Sequence, residues 1–420
     1  MKFIIQGGAE LAGTIEVGGS KNTALKVIAA SIIIDGHITL GNVPKITDVE
    51  RMIDILRTLG GHAKWRGDKL LLDGRSVNQQ TLPVRITQKL RGSVVFIGPL
   101  LARFGKAFLP YPGGCAIGER PLTAHLKLFE QCGVIVEEVD GGANNKYSFS
   151  SSGNIPKNIK LVERSVTATE NAILFGVGIR SNFVISNTAA EPEIDDLIDF
   201  LNLAGASIKR TSPTTILIGS YTKLTTVKYH IKGDRIEAGT WLVAGSLLGN
   251  KLTIKGFDSS YLSTPLELLR GCGIDFTFTK DAITVSRSAN IRKAIVTTAV
   301  YPGFPTDLQS PFGLLLTQAE GRSIINENLF DNRLVYLMEL NNMGADTRIL
   351  HPHHAEITGP TPLTGTKIES LDLRAGATMI LAGLVAGGTT VVNNAEIIDR
   401  GYEHIDQKLR KVGAKIKRVN

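Results

Sequence analysis

A chain of 420 residues is longer than one hydrophobic core usually serves, so two domains are expected. Apolar residues make up 43% and charged residues 20%, which is the balance of a soluble globular protein and excludes a disordered one. The formal net charge of +8 favours anionic ligands, and no apolar run approaches the ~20 residues of a membrane span. Three cysteines, and an amino terminus that turns polar by Gln6, point to a reducing cytoplasm. The basic residues Lys408, Arg410, Lys411, Lys415, Lys417 and Arg418 read as the solvated face of a last helix and strand, and no nucleic acid or membrane partner is expected.

The first elements are short strands at residues 3–5 and 13–17, which have no unit of their own and are expected to complete the last one. From Ser20-Lys21-Asn22 an apolar helix runs, followed by a strand at residues 37–40, a second helix that closes on Gly60, and an alternating hairpin. The same order recurs along the chain. Further apolar helices begin near Lys89-Leu90-Arg91, Thr167-Ala168-Thr169-Glu170, Asp234-Arg235-Ile236-Glu237, Pro305-Thr306-Asp307 and Asp372-Leu373-Arg374. The second helices close on Gly133, Gly205, Gly273, Gly344 and Gly413. These glycines recur about every 70 residues, the fixed period of an internal repeat, and each suits a left-handed helix carboxyl cap. Six units in two groups of three predict an α/β fold with two similar domains. One comprises 1–21 plus 233–420, the other 22–232 with the loop at Cys115.

Chemistry concentrates on a few positions. Pro112-Gly113-Gly114-Cys115-Ala116-Ile117-Gly118-Glu119-Arg120-Pro121 sets one thiol on a glycine-rich loop with an arginine five residues on, a setting that tunes thiol protonation. Cys132 and Cys272 instead end apolar helical runs and read as core. His351-Pro352-His353-His354 falls at a hairpin turn, and no metal is expected there. Lys21, Arg91, Glu170, Arg235, Glu237, Asp307 and Arg374 stand at starts of the apolar helices, and Arg120, Glu191, Glu193, Arg333 and Arg400 precede the second helices. Cations there oppose the helix dipole, where Ser, Thr, Asp or Asn is the ordinary choice. A bound anion offsets that opposition, and helix amino termini with cations hold phosphate and carboxylate. Arg235, Glu237, Glu191 and Glu193 read equally well as ion pairs.

Six segments then occur in order: Gly18-Gly19-Ser20-Lys21-Asn22-Thr23-Ala24, the Cys115 loop, Phe304-Pro305-Thr306-Asp307-Leu308-Gln309, Asp331-Asn332-Arg333, Asp372-Leu373-Arg374-Ala375 and Ile398-Asp399-Arg400-Gly401-Tyr402-Glu403. Through them the whole chain resembles the UDP-N-acetylglucosamine 1-carboxyvinyltransferase family of enolpyruvyl transferases. The resemblance implies a two-domain inside-out α/β barrel built from six repeats, with the active site in the cleft between domains. It implies transfer of enolpyruvyl from phosphoenolpyruvate to the 3′-hydroxyl of UDP-N-acetylglucosamine with release of phosphate, the first committed step of peptidoglycan precursor synthesis, without cofactor or metal. The alternatives are an enolpyruvyl transferase with another acceptor and a non-catalytic paralogue.

By the same resemblance Cys115 is the general acid and Asp307 takes the hydroxyl proton. Lys21, Arg120 and Arg400 are similar to phosphate ligands and Arg333 and Arg374 to carboxylate ligands, with Asn22 beside them. Arg91, Arg120, Pro121, Leu122, Thr123, Ala124, His125, Ser165, Val166, Thr167, Asp307 and Leu329 correspond to the nucleotide-sugar side. Two stretches depart from the family's pattern: Thr123 stands where an acidic residue is common, and Glu163-Arg164-Ser165-Val166-Thr167 where lysine and glycine are common near the ends. Oligomeric state is left open.

Overall fold

The computed structural model describes residues 1–111, 118, 121–140, 145–153, 156–279 and 281–420. Most of these residues fall into two compact bodies, one of residues 1–18 and 233–420 and the other of 19–111 and 121–232. Each body has its own apolar core, and no buried core residue is shared. Cys132 lies in one core and Cys272 in the other, both fully buried. Burial pushes their thiols up, to about 12 and about 11, which keeps them protonated and inert.

Each unit has the same plan. In the unit that follows residue 233, the strand Gly249–Lys255 pairs parallel with Leu11–Glu16 and antiparallel with Ala282–Val285, and Phe276–Thr279 lies outside. In the unit that follows residue 157, Phe183–Ser186 pairs parallel with Asn158–Lys160 and antiparallel with Thr215–Ile218, and Ile208–Ser212 lies outside. Among the described residues there are five four-stranded sheets of this order and one three-stranded sheet. In that last one a single parallel bridge from Thr81 to Phe108 takes the place of the leading strand.

The apolar helices fill the interior. Arg235–Leu248 is buried at every position, and it packs with Gln309–Thr317 and Leu373–Val385, which pack on each other. A helix buried all round carries apolar residues on every face, which explains why these segments lack a clear stripe. Asp234 and Asp372 cap two of them, accepting from the backbone N–H of Ile236 and Glu237 and of Arg374 and Ala375. The second helices end on the repeat glycines. Gly60, Gly133, Gly205, Gly273, Gly344 and Gly413 have φ of 98°, 71°, 115°, 84°, 100° and 107°, the left-handed cap conformation.

One expectation needs correction. Lys2–Gln6 does complete the last unit, lying between Thr389–Asn393 and Lys415–Val419. Leu11–Glu16 does not; it is the parallel leading strand of the fourth unit. The strand just before the Arg235–Leu248 helix, Val227–His230, pairs instead with Ile38–Gly41 of the first unit. At each crossing the leading strand therefore stays in the body the chain is leaving. A second difference lies at Arg91, which opens a 3-10 turn, Arg91–Phe96, before the helix Ile97–Phe104.

Candidate active site

In the second body Lys21 is the first residue of the helix Lys21–Ala30, capped by Ser20, whose hydroxyl accepts from Thr23 N–H at 3.2 Å. Its ammonium lies 2.8 Å from Asp48, which is 1% exposed and also faces Arg51 at 3.3 Å. Asp48 belongs to the first turn of the helix Thr47–Thr58, where a carboxylate is favoured by the dipole. It thus holds Lys21 in place beside the partly exposed Asn22.

Of the residues matched to the nucleotide sugar, those at 121–125 and 165–167 fall at two helix starts. Arg91 donates from Nη2 to Pro121 O at 3.0 Å. Thr123 is exposed at the start of Thr123–Gln131, but Leu122 and Ala124 beside it are buried in the core, so only their backbone groups are available to a ligand. Ser165 caps Val166–Gly178 by accepting from Ala168 N–H, and Val166 and Thr167 form the first turn, all three half-buried. His125 is buried, and its Nε2 lies 3.0 Å from Thr167 Oγ1, joining the two helix starts.

In the first body Asp307 lies on the 3-10 turn Thr306–Leu308 between two arginines. Arg333 Nη2 donates to Oδ1 at 2.7 Å and Arg374 Nε to Oδ2 at 3.3 Å. Both guanidinium groups are almost wholly buried, while the carboxylate is one-third exposed. Arg374 also lies over the Tyr402 ring at 5.2 Å, and the Tyr402 hydroxyl is 2.9 Å from Thr240 Oγ1. Burial opposes the Arg374 charge, yet Tyr402 and Asp307 outweigh it and raise the pKa above the ordinary value. Its Nη1 is buried and makes no hydrogen bond among the described residues. Two arginines held in place, with a donor left over on Arg374, can take a further anionic acceptor.

Glu327, wholly buried, shapes this turn from below. It accepts from Thr298 Oγ1, Thr306 Oγ1 and Leu329 N–H at 2.9, 2.8 and 3.0 Å, which fixes the residue before Asp307 and the exposed Leu329 together. Arg400 closes the 3-10 turn Ala395–Arg400, half-buried. Cys115 and Arg120 lie outside the described residues. Asp48, Glu327 and Asn171 (below) were not legible as site-building residues. A carboxylate in a helix first turn reads as a cap, and its partner lies on another element. Among the described residues no group of His, Cys, Asp and Glu is disposed to hold a metal, and no helix is long and apolar enough to cross a membrane.

A family model described as EPSP synthase (3-phosphoshikimate 1-carboxyvinyltransferase) matches residues 5–409. Among solved structures, the enolpyruvyl transferase NikO from Streptomyces tendae is similar with a TM-score of 0.88 at 25% identity, over 99% of this chain and 98% of that one. EPSP synthase from Acinetobacter baumannii gives 0.76 at 17% identity over 100% of both chains, a likeness of fold alone. These matches define an enolpyruvyl-transferase fold of mixed α/β structure. At the level of sequence, UDP-N-acetylglucosamine 1-carboxyvinyltransferase from Pelagibacter ubique is 39% identical over 419 residues, covering 100% of each chain. UDP-N-acetylglucosamine 1-carboxyvinyltransferase 2 from Caldanaerobacter subterraneus subsp. tengcongensis is 40% identical over 419 residues, 100% of this chain and 99% of that one. The chain belongs to the EPSP synthase family and, within it, to the UDP-N-acetylglucosamine 1-carboxyvinyltransferases.

Proposed function

We propose that this protein transfers enolpyruvyl from phosphoenolpyruvate to the 3′-hydroxyl of UDP-N-acetylglucosamine, releasing phosphate, in the cytoplasm and as the first committed step of peptidoglycan precursor synthesis. The observation that carries the reading is its end-to-end similarity to relatives of that name. The paired arginines around Asp307 agree with it chemically. A substrate carboxylate against Arg333 and Arg374 gives Arg374 Nη1 an acceptor.

In this reading C3 of the enol is protonated by Cys115 while the sugar oxygen attacks C2 and gives its proton to Asp307. The tetrahedral phospho-ketal then loses phosphate as a proton leaves C3 for the Cys115 thiolate, which restores the C2–C3 double bond. Lys21, Arg120 and Arg400 hold the phosphate, and the fixed Asp307 carboxylate stabilises positive charge developing at C2. Each body is read as an inside-out barrel, with its apolar helices inside and its three sheets outside. The test is phosphate release from phosphoenolpyruvate against a panel of acceptors. UDP-N-acetylglucosamine is expected to give the highest kcat/KM, and a higher value for another alcohol would overturn the acceptor.

A further inference from the structure

A chain of hydrogen bonds in the second body has a direction that its members dictate. Gly98 N–H donates to Asn171 Oδ1 at 2.8 Å, and Asn171 Nδ2 donates to Val94 O at 3.0 Å. A backbone N–H can only donate and a carbonyl can only accept, so the Asn171 amide has one possible orientation. Its NH₂ group also faces His125 Nδ1 at 3.1 Å, which makes Nδ1 an acceptor. In the neutral ring the proton then sits on Nε2, which donates to Thr167 Oγ1 at 3.0 Å. That oxygen, having accepted from the ring, has its own proton to give. Thr167 has no second partner among the described residues, and it is half-buried where His125 and Asn171 are buried.

We propose that Asn171 and His125 are positioning residues that aim the Thr167 O–H as a fixed donor at an acceptor oxygen of the nucleotide sugar. This inference rests on the proposed function. The backbone of residues 94 and 98 sets the amide, the amide sets the ring tautomer, and the tautomer turns the hydroxyl outward. A threonine left to itself spreads its proton over three rotamers and over its own i−4 carbonyl. The relay removes that choice before the substrate arrives, and pre-organisation of this kind lowers the ordering cost of binding.

Steady-state kinetics of Thr167→Val and Thr167→Ser test the idea, since valine keeps the shape and serine keeps the donor. Thr167→Val is expected to raise KM for UDP-N-acetylglucosamine about tenfold or more, the scale of one hydrogen bond to a charged group. KM for phosphoenolpyruvate and kcat should stay within about twofold, and Thr167→Ser should restore most of the affinity. Asn171→Asp, which asks for the opposite tautomer, is expected to reproduce the Thr167→Val pattern when its circular dichroism is native. Unchanged nucleotide-sugar KM in Thr167→Val, or equal loss in Thr167→Ser, overturns the relay. A wild-type enzyme that does not use UDP-N-acetylglucosamine overturns the functional reading instead, so the two failures are distinguishable.

Discussion

Glu170 lies midway along the interior of the Val166–Gly178 helix with no exposure, and its nearest counter-charge is Lys26, 3.3 Å from Oε2. At that separation the two form an ion pair without a directed hydrogen bond, and neither carboxylate oxygen has a hydrogen-bond donor. Burial pushes the carboxyl up to about 7, against the opposing pull of Lys26 and with help from Glu193 and Glu191. The unfolded chain has the ordinary value of 4.5. Between those two values the folded state keeps a proton that the unfolded state has lost, so stability falls as pH rises through this window and is level above it. The span corresponds to about 3 kcal/mol at about 1.4 kcal/mol per unit. Glu170→Gln removes the titration. Wild type and variant are therefore expected to be nearly equal at pH 5, with the variant more stable by about 3 kcal/mol at pH 8. The chain has two tryptophans, Trp65 in one body and Trp241 in the other, so urea unfolding in a Trp241→Phe background reads the second body through Trp65. Parallel pH profiles for the two proteins would refute the reasoning. Lys26→Met should do the reverse and lose about 1.4 kcal/mol at most at pH 8, since a carboxyl left without its cation takes up a proton one pH unit above 7, whereas Lys26→Met with Glu170→Leu should recover it.

Native alkylation followed by mass spectrometry is expected to modify Cys115 and to spare Cys132 and Cys272, whose buried thiols sit near 12 and 11; equal modification of all three would remove the assignment of Cys115. Cys115→Ser should lose on the order of 10²-fold in kcat while Cys115→Asp keeps much of it, because a carboxylic acid can also donate a proton. Asp307→Asn, which preserves the packing between Arg333 and Arg374, should lower kcat by at least about 10²-fold with nucleotide-sugar affinity changed only a few fold, and near-native turnover would send the search for the base elsewhere. Thr123→Asp should tighten nucleotide-sugar binding by about 1–3 kcal/mol by supplying a charged acceptor at the exposed helix start, as calorimetry would measure.

The repeat was legible because its marks are local. A glycine closing an apolar helix needs only its own backbone to adopt positive φ, and all six do so. Cys132 and Cys272 were legible for the same reason. The destination of residues 11–16 was not, since their partner strand lies over 200 residues away and local pattern cannot choose among six equivalent sheets. Asp307, Arg333 and Arg374 were singled out one by one, but their meeting around a single carboxylate depends on tertiary packing. Glu170 was singled out as a charge at a helix start, and only the facing helix reveals Lys26 as its counter-ion.

The interior position of Lys2–Gln6 in its sheet bears on how the protein is made. Phe3 and Ile5 are wholly buried there, between strands of which one, Lys415–Val419, is translated some 400 residues later. At ~5–20 residues per second, that apolar segment waits roughly 20 to 80 seconds for its partner. The second body waits about half as long, since Ile38–Gly41 meets Val227–His230 within one continuous run, so it should be folded on the ribosome while the first still trails unpaired strands. A nascent chain stopped a few residues before 415 carries every residue of the proposed site yet leaves Lys2–Gln6 as an open sheet edge, the template on which aggregation begins.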